Sequence, residues 1–289
     1  MKSKVLKGSV IMLNPHNGMK PTLLMEQYKQ NFTKSEQKIY HYIKEHIQEV
    51  LYHSLTELSE ASEVAEATVL RFFRKLGFKG FQDFKFLLAQ EVSVISTDDH
   101  ENTYMEKIKN NILHAVEDSY EIIDEETLQK SVDAINSSED VVVFGVGSSG
   151  IAALDMQTRL MRIGKHIHVT IDPHFMAMRA SSMNENTVVI AISLTGGTKD
   201  IVDTVSIAKE RGATVIALTN YVKSPLTKYA DYVLLTSAKE NPLDSGSLVS
   251  KVTQLFLIDL ICTGVTINNY KNSEKVRMEI TKNIAKKLY

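Results

Sequence analysis

From Asp140 onwards, short apolar segments rich in valine and isoleucine alternate with longer segments of helical spacing. The apolar segments have the β-branched density of strands buried on both faces. Strands that alternate with helices indicate a parallel sheet covered on both sides, so this half of the chain is expected to form a compact, doubly wound α/β domain. The five predicted strands lie near residues 141–146, 166–170, 187–193, 213–219 and 231–235.

Two of the predicted strands end in loops of glycines and hydroxyls, GVGSSG at 145–150 and SLTGGT at 193–198. A strand that ends this way and turns directly into a helix presents N–H groups, hydroxyl donors and the positive end of the helix dipole to an anion. An ordinary turn with a hydroxyl N-cap accounts for one such loop taken alone. The repetition of the pattern favours an anion-binding site.

The first loop also matches the GxGxxG pattern of dinucleotide-binding proteins, and Asp172 follows at about the spacing of a ribose-binding acid. Two serines in that loop and the second hydroxyl loop count against this alternative. In the flavodoxin-like strand order expected here, the first and third strands are neighbours, so their loops converge on one small anion. A P-loop is excluded because neither loop ends in GK[ST].

The N-terminal part has the pattern of a small helical domain. Capping boxes at Thr33–Glu36 and Ser54–Glu57 begin two helices, and the first is expected to continue through Val50. A third helix is expected over residues 65–76. The composition divides the whole chain into a loose leader over 1–30, a helical domain over 31–95, a polar linker over 96–103 and the sheet domain over 104–289.

The short second helix, the tight turn and the third helix have the geometry of a helix-turn-helix DNA reader. A plain helical bundle with a solvated basic face has the same spacing, so this pattern alone leaves both open. The candidate DNA-binding residues on the polar face of the third helix are Thr68, Arg71, Arg74 and Lys75.

Charge and composition limit where nucleic acid could bind, and they argue against a disulfide and a membrane span. The formal net charge is −2, with +3 in residues 1–95 and −5 in the remainder, so any nucleic-acid surface must be local to the N-terminal part. The single cysteine, Cys262, excludes an internal disulfide and is expected to be a buried, inert thiol. No stretch is expected to cross a membrane. The helix predicted over 247–263 is apolar nearly all round and is expected to be buried in the core or at a subunit interface.

The motifs resemble a known family. FGVGSSG followed by AISLTGGTKDIVDTVSIAKERGATVIALTN is similar to the sugar isomerase (SIS) domain, and ATVLRFFRKLGFKGFQDFK resembles the helix-turn-helix of the RpiR/MurR family of bacterial regulators. Together the two segments span about residues 30–268 in that family's order. The chain therefore resembles an RpiR-type transcriptional regulator, with an all-α reading domain joined to an SIS domain.

The resemblance implies a binding site for a sugar phosphate in the two loops. Thr195 stands where the family usually has serine, and Ala65 stands where a serine usually caps the recognition helix. Thr68 and Arg71 match the family's Thr-Val-x-Arg element. The implied ligand-binding residues are Ser148, Ser149, Ser193, Thr195, Gly196 and Thr198.

The resulting hypothesis is a cytoplasmic homodimeric or homotetrameric regulator of carbohydrate-metabolism genes, whose partners are operator DNA and a sugar-phosphate effector. It needs no cofactor, metal or catalytic residue. One alternative is a sugar-phosphate isomerase or lyase, for which Glu240 and His174 are the candidate bases. The helix predicted over 247–261, near which SIS isomerases hold their base, contains no glutamate. The other alternative is a nicotinamide-sensing regulator.

Overall fold

The structure of the chain is a computed structural model that describes residues 20–93, 103–237 and 248–285. The described residues form two compact units, the first within 20–93 and the second made by the other two ranges. Most of the linker predicted over 96–103, the first nineteen residues of the predicted leader and Glu240 lie outside the described residues.

The first unit is helical, and its sequence signals for helix starts are accurate. Thr33 and Ser54 each accept a hydrogen bond from the backbone N–H of the glutamate three residues later, and that glutamate accepts one in return, so both predicted capping boxes are confirmed. The helices are α1 (Pro21–Tyr28), α2 (Lys34–Glu45), α3 (Ile47–Val50), α4 (Leu55–Ala61), α5 (Glu66–Lys75) and α6 (Phe81–Ser93).

Two expectations for this unit are wrong because tertiary contacts override weak local patterns. The expected loose leader is helical from Pro21, since Met25 is buried in the core and the Thr22 N–H donates to the Glu91 carboxylate on α6 at 3.1 Å. The helix expected to continue through Val50 is interrupted at His46, whose backbone angles (φ −125°, ψ 39°) are not helical. Val50 is fully buried on the far side of that break.

Aromatic side chains hold α5 against its neighbours. Phe72 and Phe73 are both fully buried, and the Phe73 ring packs on Phe84 at 4.6 Å and on Phe81 at 5.3 Å between ring centroids. Burying one phenylalanine contributes about 1.5–3 kcal/mol. The apolar face of α5 is thereby fixed, which leaves its polar face outward.

The second unit contains the predicted five-stranded sheet. All strands are parallel in the order β2-β1-β3-β4-β5, so the doubly wound, flavodoxin-like prediction and the adjacency of the first and third strands are confirmed. In chain order the elements are α7 (Tyr104–Glu121), α8 (Glu125–Ser137), β1 (Asp140–Phe144), α9 (Ser148–Met161), β2 (His168–Thr170), α10 (Pro173–Ser181), β3 (Thr187–Ile192), α11 (Lys199–Glu210), β4 (Thr214–Thr219), β5 (Tyr232–Leu235), α12 (Leu248–Asn268) and α13 (Tyr270–Ala285).

Each face of the sheet has its own core. Val141 and Val143 on β1 pack with α8, α9 and α12, whereas Val142 and Phe144 on the same strand pack with α10 and α11. This alternation is what a strand buried on both faces requires. After the predicted linker, α7 begins at Tyr104, and its N-cap Thr103 forms a capping box with Glu106.

Helix α12 differs from its prediction. It runs to Asn268 and is long and apolar enough by composition to cross a membrane, contrary to the expectation that no stretch is. Its contacts are those of a core helix, since one face packs against α7, α8 and α9. Leu248 is exposed within this chain, so the core does not bury the helix on all sides, and the expected burial at a subunit interface stays a prediction. Cys262 is buried, and burial raises the pKa of its thiol to about 12, which agrees with an inert cysteine.

Candidate functional site

The first glycine loop turns from β1 into α9 with backbone packed too closely for side chains. Gly147, the N-cap of α9, has φ +57°, a conformation that favours glycine. A Cβ on Gly145 would lie 2.7 Å from the carbonyl oxygen of Ser149, and one on Gly150 would lie 2.9 Å from that of Gly145. The turn places Ser148 and Ser149 in the first turn of α9, where no side chain caps the helix and an anion is favoured.

The second loop carries three hydroxyls between β3 and α11. Ser193 is buried and its Oγ lies 3.1 Å from the Oγ1 of Thr198, the N-cap of α11. Thr195 is half-buried, and its Oγ1 accepts a hydrogen bond from the N–H of Gly197 at 3.2 Å. No side-chain hydrogen bond caps α11, so its N-terminal N–H groups are available to a ligand.

A tight packing contact fixes the shape of the second loop. Gly196 is buried with φ +57°, and a Cβ there would lie 2.1 Å from the Oγ of Ser224. The backbone is further held by Leu226, whose N–H donates to the Gly196 carbonyl at 2.9 Å, and by Thr219, whose hydroxyl donates to the Leu194 carbonyl at 3.1 Å. Gly196 is therefore needed for the loop's conformation.

The two loops lie at the same edge of the sheet because β1 and β3 are parallel neighbours. Two helix N-termini and several hydroxyls thus flank the switch point of the strand order, where ligands bind in such folds. Neither loop contains lysine or arginine, and Lys199, which follows the second loop, forms an ion pair with Asp203. Among the described residues, no group of three or more His, Cys, Asp or Glu side chains is placed to hold a metal ion.

One residue at this site was missed from the sequence. Gln254 on α12 is only 4% exposed, and its Nε2 donates to the Oγ of Ser149 at 3.2 Å. The sequence shows Gln254 as a long amide in a largely apolar helix, but it does not show the partner of that amide. Buried amides of this kind are placed for their hydrogen bonds.

The acid that suggests a dinucleotide has a structural role instead. The Asp172 carboxylate caps α10 by accepting the N–H groups of His174 at 2.9 Å and Phe175 at 3.1 Å. Its spacing from the first loop is therefore explained without a ribose. His174 itself is exposed in the first turn of α10.

In the first unit, α4 and α5 are joined by a tight turn in which Glu63 has φ +52°. Arg71 and Arg74 are exposed on the outer face of α5, opposite the buried Val69. The guanidinium of Arg71 donates to the Thr68 hydroxyl at 3.1 Å, which brings these two predicted residues together.

Lys75 is held differently from the two arginines. Its ammonium lies 2.7 Å from the Glu36 carboxylate and 2.8 Å from the carbonyl oxygen of Asn31, and it sits over the Phe32 ring. Burial would raise the pKa of Glu36, but hydrogen bonds from Lys75 and Thr33 hold it below its usual value. The charge of Lys75 is thus paired within the unit although the residue is exposed, and its contact with DNA stays a prediction.

Ala65 is the N-cap of α5 and provides no side-chain hydrogen bond, as its replacement of the usual serine predicts. Serine, threonine, asparagine or aspartate at this position accepts an N–H of the first turn, a hydrogen bond that alanine cannot form. Here the Thr68 N–H donates to the Ala65 carbonyl at 2.8 Å. Glu66 compensates in part by placing a carboxylate in the first turn.

The comparisons with known proteins agree with both units. Residues 19–94 match the model of the helix-turn-helix domain of the rpiR family, and residues 134–264 match the SIS domain. An HTH-type transcriptional regulator of Clostridium perfringens is 36% identical over 267 residues, which cover 89% of this chain and 96% of the relative. The chain belongs to the RpiR family. It is an HTH-type transcriptional regulator with an SIS domain.

Another relative and two solved structures extend the match. HexR of Pseudomonas aeruginosa is 28% identical over 84% of this chain and 89% of its own length. Among solved structures, Vibrio vulnificus NanR complexed with ManNAc-6P has a TM-score of 0.84 and 28% identity, covering 93% of this chain and 99% of that one. A Listeria monocytogenes putative sugar-phosphate isomerase matches at a TM-score of 0.53 with 22% identity, which shows a shared fold alone.

Proposed function

We propose that this RpiR-family regulator senses a phosphorylated sugar between its two hydroxyl loops and thereby controls genes of carbohydrate metabolism. The observation that carries the proposal is the pair of hydroxyl–glycine loops at the ends of adjacent strands β1 and β3. The NanR structure, whose ligand is a sugar phosphate, supports it.

The proposed phosphate contacts come from neutral groups. Each loop contributes hydroxyls and N–H groups at the start of a helix, and hydrogen bonds to a charged group are worth about 1.5–3 kcal/mol each. Without a cation in either loop, binding depends on the orientation of these donors. The residues we assign to the site are Ser148, Ser149, Ser193, Thr195, Gly196 and Thr198.

The proposed DNA contacts come from the outer face of α5. Arg71 and Arg74 are exposed there, and Thr68 lies near the start of the helix, where phosphates are favoured. We give Lys75 a structural role because it is paired with Glu36. One helix-turn-helix reads few base pairs, so we propose a homodimer or homotetramer that binds two half-sites of an operator in the cytoplasm.

The proposed role is regulatory and not enzymatic. An isomerase needs a base near the sugar, and the α12 side chain that reaches the first loop is the amide of Gln254, which cannot accept a proton at neutral pH. The acidic residue of α12, Asp259, is exposed and paired with Arg159. Turnover of a sugar phosphate by the purified protein would contradict this part of the proposal.

The test is the double variant Thr195→Val/Thr198→Val, assayed with a panel of hexose and N-acetylhexosamine 6-phosphates that includes ManNAc-6P. Wild type should be stabilised against heat by a panel member, by about 2.7 kcal/mol at 100 times its Kd. The variant should lose that shift and the ligand's effect on operator binding, while it still binds the operator.

Thr214→Val is the matched control, because Thr214 begins β4 at the opposite edge of the sheet. It should respond like wild type. A double variant that responds normally places the pocket elsewhere, and a wild type stabilised by NADH and by none of the panel favours a nicotinamide-sensing regulator.

A further inference from the structure

The N-terminal half of α12 buries polar side chains in an otherwise apolar helix. Ser250, Thr253 and Gln254 are 7%, 0% and 4% exposed. Buried polar groups in native proteins have hydrogen-bond partners or a functional reason to lack them. Thr253 donates to the Ser250 carbonyl at 3.0 Å, and Gln254 donates to Ser149.

The hydroxyl of Ser250 is the exception. Among the described residues, its Oγ is one of two buried side-chain polar atoms for which no partner is found. Ser250 and Gln254 are four residues apart and therefore share one face of α12, one turn from each other. That face reaches the first loop through Gln254.

The contact between Gln254 and Ser149 has a chemical consequence for phosphate binding. A serine hydroxyl has one hydrogen to donate and two lone pairs to accept. When Gln254 Nε2 donates to one lone pair, the hydroxyl hydrogen of Ser149 is left for another acceptor. Phosphate oxygens only accept, so a serine that binds phosphate must be a donor.

We propose that α12 forms a wall of the sugar-phosphate pocket, in which Gln254 positions Ser149 as a hydrogen-bond donor to the phosphate and Ser250 binds a hydroxyl of the sugar. The proposal rests on the proposed function. In this proposal, Gln254 and Ser149 recognise the phosphate group of any ligand, and Ser250 recognises the sugar.

If phosphate and sugar are recognised by different residues, variants should change the binding of two probes differently. The probes are inorganic phosphate and the panel member that stabilises wild type most. Gln254→Met, which keeps the length of the side chain and removes its donor, should lower the binding affinity for both probes about tenfold or more. Gln254→Glu should weaken both further, because its carboxylate accepts the Ser149 hydrogen and repels phosphate. Ser250→Ala should weaken the sugar phosphate and leave inorganic phosphate unchanged.

A double-mutant cycle separates positioning from general damage to the fold. In a Ser149→Ala background, Gln254→Met should cause little further loss, since the group it positions is absent. Gln157→Met is the matched control, because Gln157 bonds the Ile167 carbonyl at 3.1 Å away from the N-terminus of α9. The melting temperatures of all variants without ligand verify that each one folds.

The outcomes are distinct. If wild type binds the sugar phosphate and the Gln254 and Ser250 variants bind both probes like wild type, the inference about α12 is wrong and the proposed function stands. Equal losses from Gln254→Met with and without Ser149 also overturn the positioning role. If wild type is stabilised by no panel member while its operator binding is intact, the proposed function itself fails.

Discussion

The loop pocket of the sheet unit and the outer face of α5 are both suited to phosphate, yet they use opposite chemistry. The pocket has hydroxyls, helix N-termini and tightly packed glycines, and its loops contain no cation. The α5 face presents arginines to solvent. Binding at the first proposed site would depend on the fixed orientation of neutral donors, and binding at the second on charge that acts over a distance.

The difference fits the ligand that we propose for each site. A small ligand surrounded by donors is selected by geometry, and fixed dipoles meet its charge without reorganisation. A polymer of phosphates is met over a wide surface, where exposed cations displace condensed counterions. The two regions should therefore respond differently to salt, to backbone substitutions and to loss of single side chains.

Salt should separate the two regions most strongly. If a dimer makes about six phosphate contacts, its operator affinity should fall roughly 10³-fold as salt rises from about 50 to 200 mM. Sugar-phosphate affinity should fall less than about tenfold over that interval, because dipoles and hydroxyls release no condensed counterions. Fluorescence anisotropy and calorimetry at several salt concentrations measure both slopes, and equal slopes would contradict the comparison.

A single added methyl group in the second loop should destabilise the sheet unit and leave the outer face of α5 unchanged. Gly196→Ala combines a left-handed backbone with a Cβ 2.1 Å from the Ser224 Oγ, and should cost about 2–5 kcal/mol in the sheet unit's free energy of unfolding. Gly197→Ala is the control, since its Cβ would meet nothing nearer than 3.8 Å and should cost less than about 1 kcal/mol. Thermal unfolding followed by ligand titration measures both, and similar losses from the two variants would show that the packing at Gly196 is unimportant.

Loss of one arginine on the outer face of α5 should affect operator binding alone. Arg71→Ala should cost roughly 1–3 kcal/mol of operator affinity or discrimination, because arginine contacts to base edges are of that size. Sugar-phosphate binding should not change. Lys44→Ala is the control, an exposed cation on α2 that is paired with Glu26. Footprinting at fixed salt is the measurement, and an unchanged footprint for Arg71→Ala would remove this residue from the DNA interface.

Lys75→Met should lower the stability of the first unit, whereas Arg71→Ala should weaken operator binding. Removal of the ammonium leaves the nearly buried Glu36 carboxylate without its ion pair, which should cost roughly 1–3 kcal/mol in unfolding free energy. The pKa of Glu36 is lowered in the folded state, so its stabilisation is present above the ordinary value of 4.5 and is lost as pH falls below it. Urea unfolding at several pH values should show a weaker acid dependence in Lys75→Met. A variant with full stability and poor operator binding would instead support the original DNA-facing prediction.

The smallest expected effect is an increase in the stability of the first unit. Ala65→Ser supplies the missing cap of α5 and should raise the unfolding free energy of the first unit by about 1 kcal/mol. The melting temperature of that unit should rise by several degrees, and the ligand-dependent shift of the sheet unit should stay the same. No change in stability would show that Glu66 already satisfies the first turn.

The pattern of residues was sufficient for much of this description because it reflects local physics. Continuous apolar runs rich in β-branched residues predicted the strands, and hydroxyl-x-x-glutamate patterns predicted the helix starts at Thr33 and Ser54. The glycine loops indicated the candidate pocket. Each of these signals depends on residues close together along the chain. The missing cap at Ala65 was instead inferred from the resemblance to the family, which usually has serine there.

What the pattern left undecided depended on contacts between distant residues. The pairing of Lys75 with Glu36, the approach of Gln254 to Ser149 and the clash that Gly196 avoids at Ser224 each join parts of the chain that are 28 to 105 residues apart. A lysine on a polar helical face and a glutamine in an apolar helix read the same whether or not such a partner exists. Only the folded chain decides which charges remain free to meet a ligand, because desolvation and hydrogen bonding act on neighbours in space and not on neighbours in sequence.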